Sequence, residues 1–249
     1  MRFLFFLYGV ICYAIFFGTF LYAIGFVGNF IVPKSMDSGV EGTVIEALII
    51  NLLLLGVFAV QHSVMARKEF KALWTKVIPE VIERSTYVLL SSLALLIIFW
   101  KWRPMGGVVW DVSGSYLSTV LIAISLVGWL LVLVSTFLIN HFELFGLEQV
   151  FVNLKGKALT YGEFKTPGLY QFVRHPIYFG FTVAFWATPI MTVAHLLFAV
   201  GTLAYMIIGI ALEEKDLVAS FGDNYQKYQS RVSMLIPLPP KNERYFKNQ

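Results

Sequence analysis

The sequence predicts an all-α polytopic integral membrane protein with five to six transmembrane helices and a C-terminal helical hairpin. Three observations carry this reading. Hydrophobic residues make up 58% of the 249 positions and the mean hydropathy is +0.73, more apolar surface than a soluble domain of this size can bury. Apolar segments too long for ordinary core helices recur at residues 3–27, 44–60, 87–100, 116–139 and 177–212. The last is long enough to fold in two, and polar clusters bracket it: Arg174-His175-Pro176 before, Glu213-Glu214-Lys215-Asp216 after. A hairpin would return both clusters to one depth on one membrane face, where they can share a ligand.

The first segment is too long for a signal-peptide core, and no small-residue cleavage site follows it, so it counts as a helix. Its cysteine, Cys12, is the only one in the chain, excludes an intrachain disulfide and reads as a small apolar residue. Charge placement says more than the net +4. With both hairpin ends cytosolic and the helices alternating backwards, 16 of the 19 Lys and Arg fall on the inner side, leaving Lys34, Lys101 and Arg103 outside. The positive-inside rule then sets both termini in the cytosol. Topology and anionic headgroups account for the basic residues, with no interleaved pattern that calls for nucleic acid.

Helix one carries aromatics all around, as a lipid-facing helix does, and the punctuated loop at 28–42 connects it outward to helix two. Helix two runs out at Gln61-His62-Ser63, where His62 reads either as a hydrogen-bonded boundary residue or as a base. Pro79 suits a break before helix three, in front of Glu83 and Arg84, which read as a mutual or headgroup pair. Trp100-Lys101-Trp102-Arg103-Pro104 reads as a headgroup-level belt. In helix four, Ser125, Gly128, Ser135 and Thr136 are small enough to let a neighbour approach closely.

Beyond it, His141 and Glu143 lie just inside the boundary, where ionisable groups tend to face protein rather than lipid. They can pair with one another or meet a ligand. The Gly- and Lys-containing segment 153–166 reads as a mobile loop able to act as a lid. Pro176 suits a first helical turn, with Arg174 or His175 at the cap; a helix N-terminus beside an Arg is a receptor for carboxylate or phosphate. At about 1.5 Å per residue the hairpin is shorter than two crossings of a core about 30 Å thick, so it must turn tightly near Thr188, Pro189 and Thr192 or stop short. Adjacent glutamates on a helix point about 100° apart, so one of Glu213 and Glu214 faces a pocket and the other solvent or a basic neighbour. Of the four histidines, His195 sits near the turn and reads as structural, and their spacing gives no metal site.

The ordered set His175-Pro176-x-Tyr178, hairpin, Glu213-Glu214, Phe221-Gly222-x-x-Tyr225-x-x-Tyr228 and Ile236-Pro237 resembles the membrane methyltransferases of the isoprenylcysteine carboxyl methyltransferase and phospholipid methyltransferase type. Upstream, Gln61-His62-Ser63-Val64-Met65-Ala66-Arg67, Glu83-Arg84-Ser85-Thr86-Tyr87, Trp100-Lys101-Trp102-Arg103-Pro104 and Asn140-His141-Phe142-Glu143-Leu144-Phe145-Gly146-Leu147 are similar to the bacterial methanethiol S-methyltransferase branch related to NnrU-like proteins. The resemblance implies one membrane methyltransferase domain over 1–249. Residues 1–139 would be N-terminal transmembrane helices, and 140–249 the cytosolic loop, hairpin and C-terminal segment that hold S-adenosylmethionine (SAM).

By the same resemblance, Arg174, His175 and Pro176 meet the SAM carboxylate, Glu213 or Glu214 the ribose hydroxyls or ammonium, Leu169, Tyr170 and Val173 the adenine, and Tyr178 the sulfonium. The expected reaction converts methanethiol to dimethyl sulfide, with hydrogen sulfide to methanethiol as a related one. His62 or His141 is the candidate base and Glu143 its orienter. The partners are then a small thiol and membrane lipid. Methylation of a prenylcysteine carboxylate or phospholipid headgroup, or a non-catalytic NnrU-like role, are the alternatives.

Overall fold

The computed structural model describes residues 1–159 and 164–238. Among the described residues, five helices are long and apolar enough to cross a membrane: α1 (Arg2–Gly28), α2 (Val44–Ala66), α4 (Glu80–Lys101), α5 (Tyr116–Ile139) and α9 (Val193–Phe221). A sixth, α8 (Pro176–Trp186), is apolar but only 11 residues long. Short helices α3 (Lys68–Trp74), α6 (His141–Leu144), α7 (Leu147–Leu154) and α10 (Asp223–Arg231), with a 3₁₀ turn at Gly168–Gln171, gather at one end of the bundle.

Local chemistry sets the helix starts. The Thr43 hydroxyl accepts from the Glu46 amide at the head of α2, Thr192 from the His195 amide at the head of α9, and the Asn140 side chain from the Glu143 amide in α6. His175 caps α8 and Pro176 fills its first position. Polar turns extend two membrane helices past their apolar runs. α2 continues to Ala66, placing His62 within the helix, and α4 begins at Glu80, directly after Pro79.

α5 and α8 form the most extensive helix pair. Their backbones nearly touch: a Cβ on Gly180 would lie 2.8 Å from the Gly128 carbonyl oxygen, and one on Gly128 2.6 Å from the Ala184 amide nitrogen. Ser125 adds a hydrogen bond to the Ala184 carbonyl, 2.9 Å. The main core, around Phe26, Phe99, Trp102, Trp129, Phe185 and Phe198, lies between this pair, α1, α4 and α9. His195 is wholly buried and bonded to this core's backbone, with Nε2 2.8 Å from the Phe185 carbonyl.

The α8–α9 hairpin turns through Ala187–Thr192. Its last residues form β2 (Ile190–Thr192), antiparallel to β1 (Val108–Asp111) in a two-stranded sheet. Trp110 donates from its indole to the Thr188 carbonyl, 3.0 Å, and Thr192 bonds to Asp37, so this turn is pinned to the loops at the far end of the bundle. Of the expected lid segment 153–166, residues 160–163 lie outside those described, as do residues 239–249 with the C-terminus. The ring of Phe164 packs on Phe221, Tyr225 and Tyr228.

Candidate active site

The hairpin brings its two polar ends together. Glu214 is the hub: its Oε1 accepts from Arg174 Nε at 2.6 Å and from His175 Nε2 at 3.0 Å, and its Oε2 from Gln229 Nε2 at 2.9 Å. The Arg174 guanidinium is further committed to the carbonyls of Gln229 and Val232. Backbone bonds from Arg174 to Ser233 and from His175 to Met234 strap the C-terminal segment along residues 173–175. Tyr228 donates to the Tyr170 carbonyl. This cluster is closed: the Arg174 and Glu214 side chains are 12% and 14% exposed.

Glu213 is different. Its side chain is 47% exposed, with Tyr178 donating to Oε2 at 3.3 Å and His175 Nδ1 at 3.7 Å from the same oxygen. The rings of His175 and Tyr178 stack at 5.7 Å. An open carboxylate on a rim of two aromatic rings suits a cationic ligand with hydroxyls, because it offers charge and hydrogen-bond acceptance without a buried competitor. The residues therefore fit the ammonium, ribose and sulfonium of SAM on the side of Glu213 and Tyr178. Toward an adenine, Leu169 is half-buried, while Tyr170 and Val173 point into the protein at 9% and 4% exposure. Phe172, which the sequence reading did not single out, stands 60% exposed beside them. Gln229 was also missed; it carries no motif signal, since only folding brings α10 to Glu214. Burial holds the hydroxyls of Tyr170, Tyr225 and Tyr228 well above the ordinary tyrosine range, so they act as neutral donors.

The two candidate bases occupy separate places. Within α2, His62 lies under the Phe58 ring, with Nε2 2.8 Å from the Tyr87 hydroxyl and Nδ1 3.0 Å from Ser91 Oγ. Ser63 and the Tyr205 hydroxyl are 3.3 Å apart on the next helix face. Tyr87 and Tyr205 both lie within electrostatic range of Tyr178, which puts His62 on the Glu213 side of the bundle. His141 instead is buried against α1 and α5. Its Nε2 is 2.8 Å from the Tyr13 hydroxyl and its Nδ1 2.8 Å from Thr136, and it stacks on Phe137 at 4.0 Å. Burial lowers its pKa below the ordinary histidine range. Glu143 bonds Asn140 at 3.0 Å rather than His141, and lines a cavity of about 560 Å³ together with Lys71, Glu83 and Arg84.

Comparison with known proteins sets this geometry in a family. Residues 50–236 match the NnrU protein family. Methanethiol S-methyltransferase 1 of Bradyrhizobium diazoefficiens is 58% identical over 95% of this chain and 83% of its own length. The methanethiol S-methyltransferase of Crocosphaera subtropica is 54% identical over 93% of this chain and 91% of its own, and that of Mycobacterium tuberculosis 52% over 97% and 99%. No solved structure matches the chain. The chain thus belongs to the NnrU family and to the methanethiol S-methyltransferases.

Proposed function

We propose that this protein methylates methanethiol to dimethyl sulfide with SAM as donor, at a site on the cytosolic side of a bacterial inner membrane. The observation that carries the reading is the division of labour between adjacent glutamates: Glu214 locks the two hairpin ends together, while Glu213 stays open beside Tyr178 and His175. When bound, SAM supplies a methyl group already activated on a sulfonium. The chain's task is then to align the acceptor, exclude water and take a proton, and alignment alone contributes about 7 kcal/mol or more.

Glu213 would hold the donor's ammonium or ribose hydroxyls, and the Tyr178 ring would face its cationic sulfur. The amides at the start of α8, behind Pro176, would receive the carboxylate, with Arg174 acting from behind through Glu214. A small thiol of pKa near about 8.5 or higher is mostly protonated at neutral pH, and only the thiolate attacks. His62 is the better-placed acceptor of that proton, through the Tyr87 hydroxyl bonded to its Nε2, because Tyr87 and Tyr205 lie within electrostatic range of Tyr178; Ser91 holds the other ring nitrogen. Bound SAM would supply the methyl group to the acceptor sulfur, and His62 would hold the thiol proton until it passes to solvent. A volatile acceptor needs only a narrow approach among Phe58, Tyr87 and Tyr205, whereas a lipid acceptor would need a groove open to the side.

Purified protein supplied with SAM and methanethiol should release dimethyl sulfide measurable by headspace sulfur chromatography. No product above the protein-free control, under conditions where SAM binds by calorimetry, would remove the reading. His62→Ala should lower the rate at neutral pH by about 10²-fold or more while leaving SAM affinity in place, the usual contribution of a general base. His141→Ala should not reproduce that separation.

A further inference from the structure

At the end of the bundle opposite the candidate site, a second polar cavity of about 210 Å³ lies against the lipid boundary. Its wall contains Lys34, Lys101 and Arg103, the three basic residues that the topology leaves on this face. Lys34 comes from the loop after α1 and Lys101 and Arg103 from the end of α4, so the fold concentrates there all the positive charge of that surface. Among the described residues no carboxylate lines the cavity and no salt bridge reaches any of the three. Asp37, which lies within range of Lys34, is taken up by Asn29 at 2.7 Å and by Thr192.

The cations are held there by the backbone. Wholly buried Asn51 donates to the Arg103 carbonyl at 2.8 Å and accepts from the Arg103 amide at 2.9 Å, which fixes the chain at Arg103 from the neighbouring helix. Lys34 is tethered to the carbonyls of Ser35 and Ser38. Burial first, then the Arg103 cation, pull Lys34 below the ordinary lysine range, with Asp37 acting the other way. Asp37 offsets only part of this, since its oxygens are bonded to Asn29 and Thr192, and three cations around one cavity leave an excess of positive charge that favours an anion between them. Trp102, in the same wall, has a buried indole N–H with no acceptor.

The source of the anion follows from the rim. Trp100, in the last turn of α4, is 70% exposed and Val40, in the loop before α2, 77%, and Lys101 Nζ lies 3.6 Å from the Trp100 ring centroid. An exposed tryptophan beside a basic pocket at this depth suits a molecule with a phosphate and acyl chains. We propose that Lys34, Lys101 and Arg103 form a binding site for the phosphate of an anionic phospholipid in the leaflet opposite the methyl-transfer site.

The test is lipid retention by the full-length protein in detergent, read by native mass spectrometry and by thermal unfolding. The probes are phosphatidylglycerol, phosphatidylcholine with the same chains, and inorganic phosphate. Wild type should retain phosphatidylglycerol in preference to phosphatidylcholine and gain stability from it alone. Lys101→Gln and Arg103→Gln should each weaken that retention by about fivefold, the effect of one surface cation on an anionic headgroup. Lys76→Gln, an exposed charge in the loop after α3, should not. Equal retention of the two lipids, equal loss in Lys76→Gln, or a matching effect of inorganic phosphate would overturn the proposal. Should Arg103→Gln fail to fold, Lys101→Gln alone decides it, with methyl transfer at the far face reporting that the fold is intact.

Discussion

Two neighbouring glutamates show how burial assigns roles that residue type does not. Glu214 accepts three hydrogen bonds and neutralises Arg174 in a nearly closed cluster, so Glu214→Gln should lower the thermal midpoint and weaken SAM binding together; breaking a buried pair by removing one partner costs about 3–5 kcal/mol. Glu213→Gln should leave the midpoint near wild type and weaken SAM binding, read by calorimetry beside differential scanning. Equal losses of stability in both variants would contradict this division. His141 gives a prediction in pH. The unfolded imidazole titrates near about 6.5, and burial holds the folded value lower, so the unfolded chain binds protons preferentially. Its contribution is complete above the unfolded pKa and is lost as pH falls through that value toward the folded one. Between about pH 7.5 and 5.5 the thermal midpoint should therefore drop more in wild type than in His141→Gln.

Among the elements, the α5–α8 pair decides where the rim sits. α8 carries His175 at its cap and Tyr178 one turn in, and its position rests on the Gly128–Gly180 backbone approach. Gly180→Ala would drive a Cβ to 2.8 Å from backbone atoms of α5 that cannot move aside. It should cost about 1–3 kcal/mol and reduce dimethyl sulfide formation by displacing Tyr178. A variant with unchanged rate and midpoint would show that the close packing does not position the rim. Gly128 stood out in the sequence as a small residue in an apolar helix, but its partner did not, because small residues announce close approach without naming what approaches. The hairpin itself was readable from two polar clusters flanking one apolar run. Its closure by β2 pairing with β1 was not, since strands of four and three residues are too short to carry a periodic signal.

For the whole molecule, alternating helices place the loop at 29–43 and the loop at 75–79 at opposite ends of the bundle, with the Glu213 rim on the side of the second. Val40 and Val77 are both 77% exposed, and the native Cys12 is fully buried. Cysteines introduced singly at these two positions should therefore react with a membrane-impermeant maleimide from opposite sides, Val77→Cys only after the cytosolic face is opened. Labelling of both from one side would refute the orientation on which the proposed cytosolic site depends.

Composition, apolar segment length and the distribution of lysine and arginine were sufficient by themselves to specify a helical membrane protein and its expected orientation, because a bilayer imposes length and charge rules that act on local sequence. The same local rules brought His175 and the two glutamates to one face, since a hairpin must return to where it began. The tertiary structure alone decided which glutamate is sequestered and which is open, that His62 packs with Tyr87 and Tyr205 while His141 is enclosed by α1 and α5, and that Lys34 meets Lys101 and Arg103 in one pocket at the far end of the bundle. Those outcomes depend on side-chain burial and on contacts between residues tens of positions apart, which no local pattern encodes.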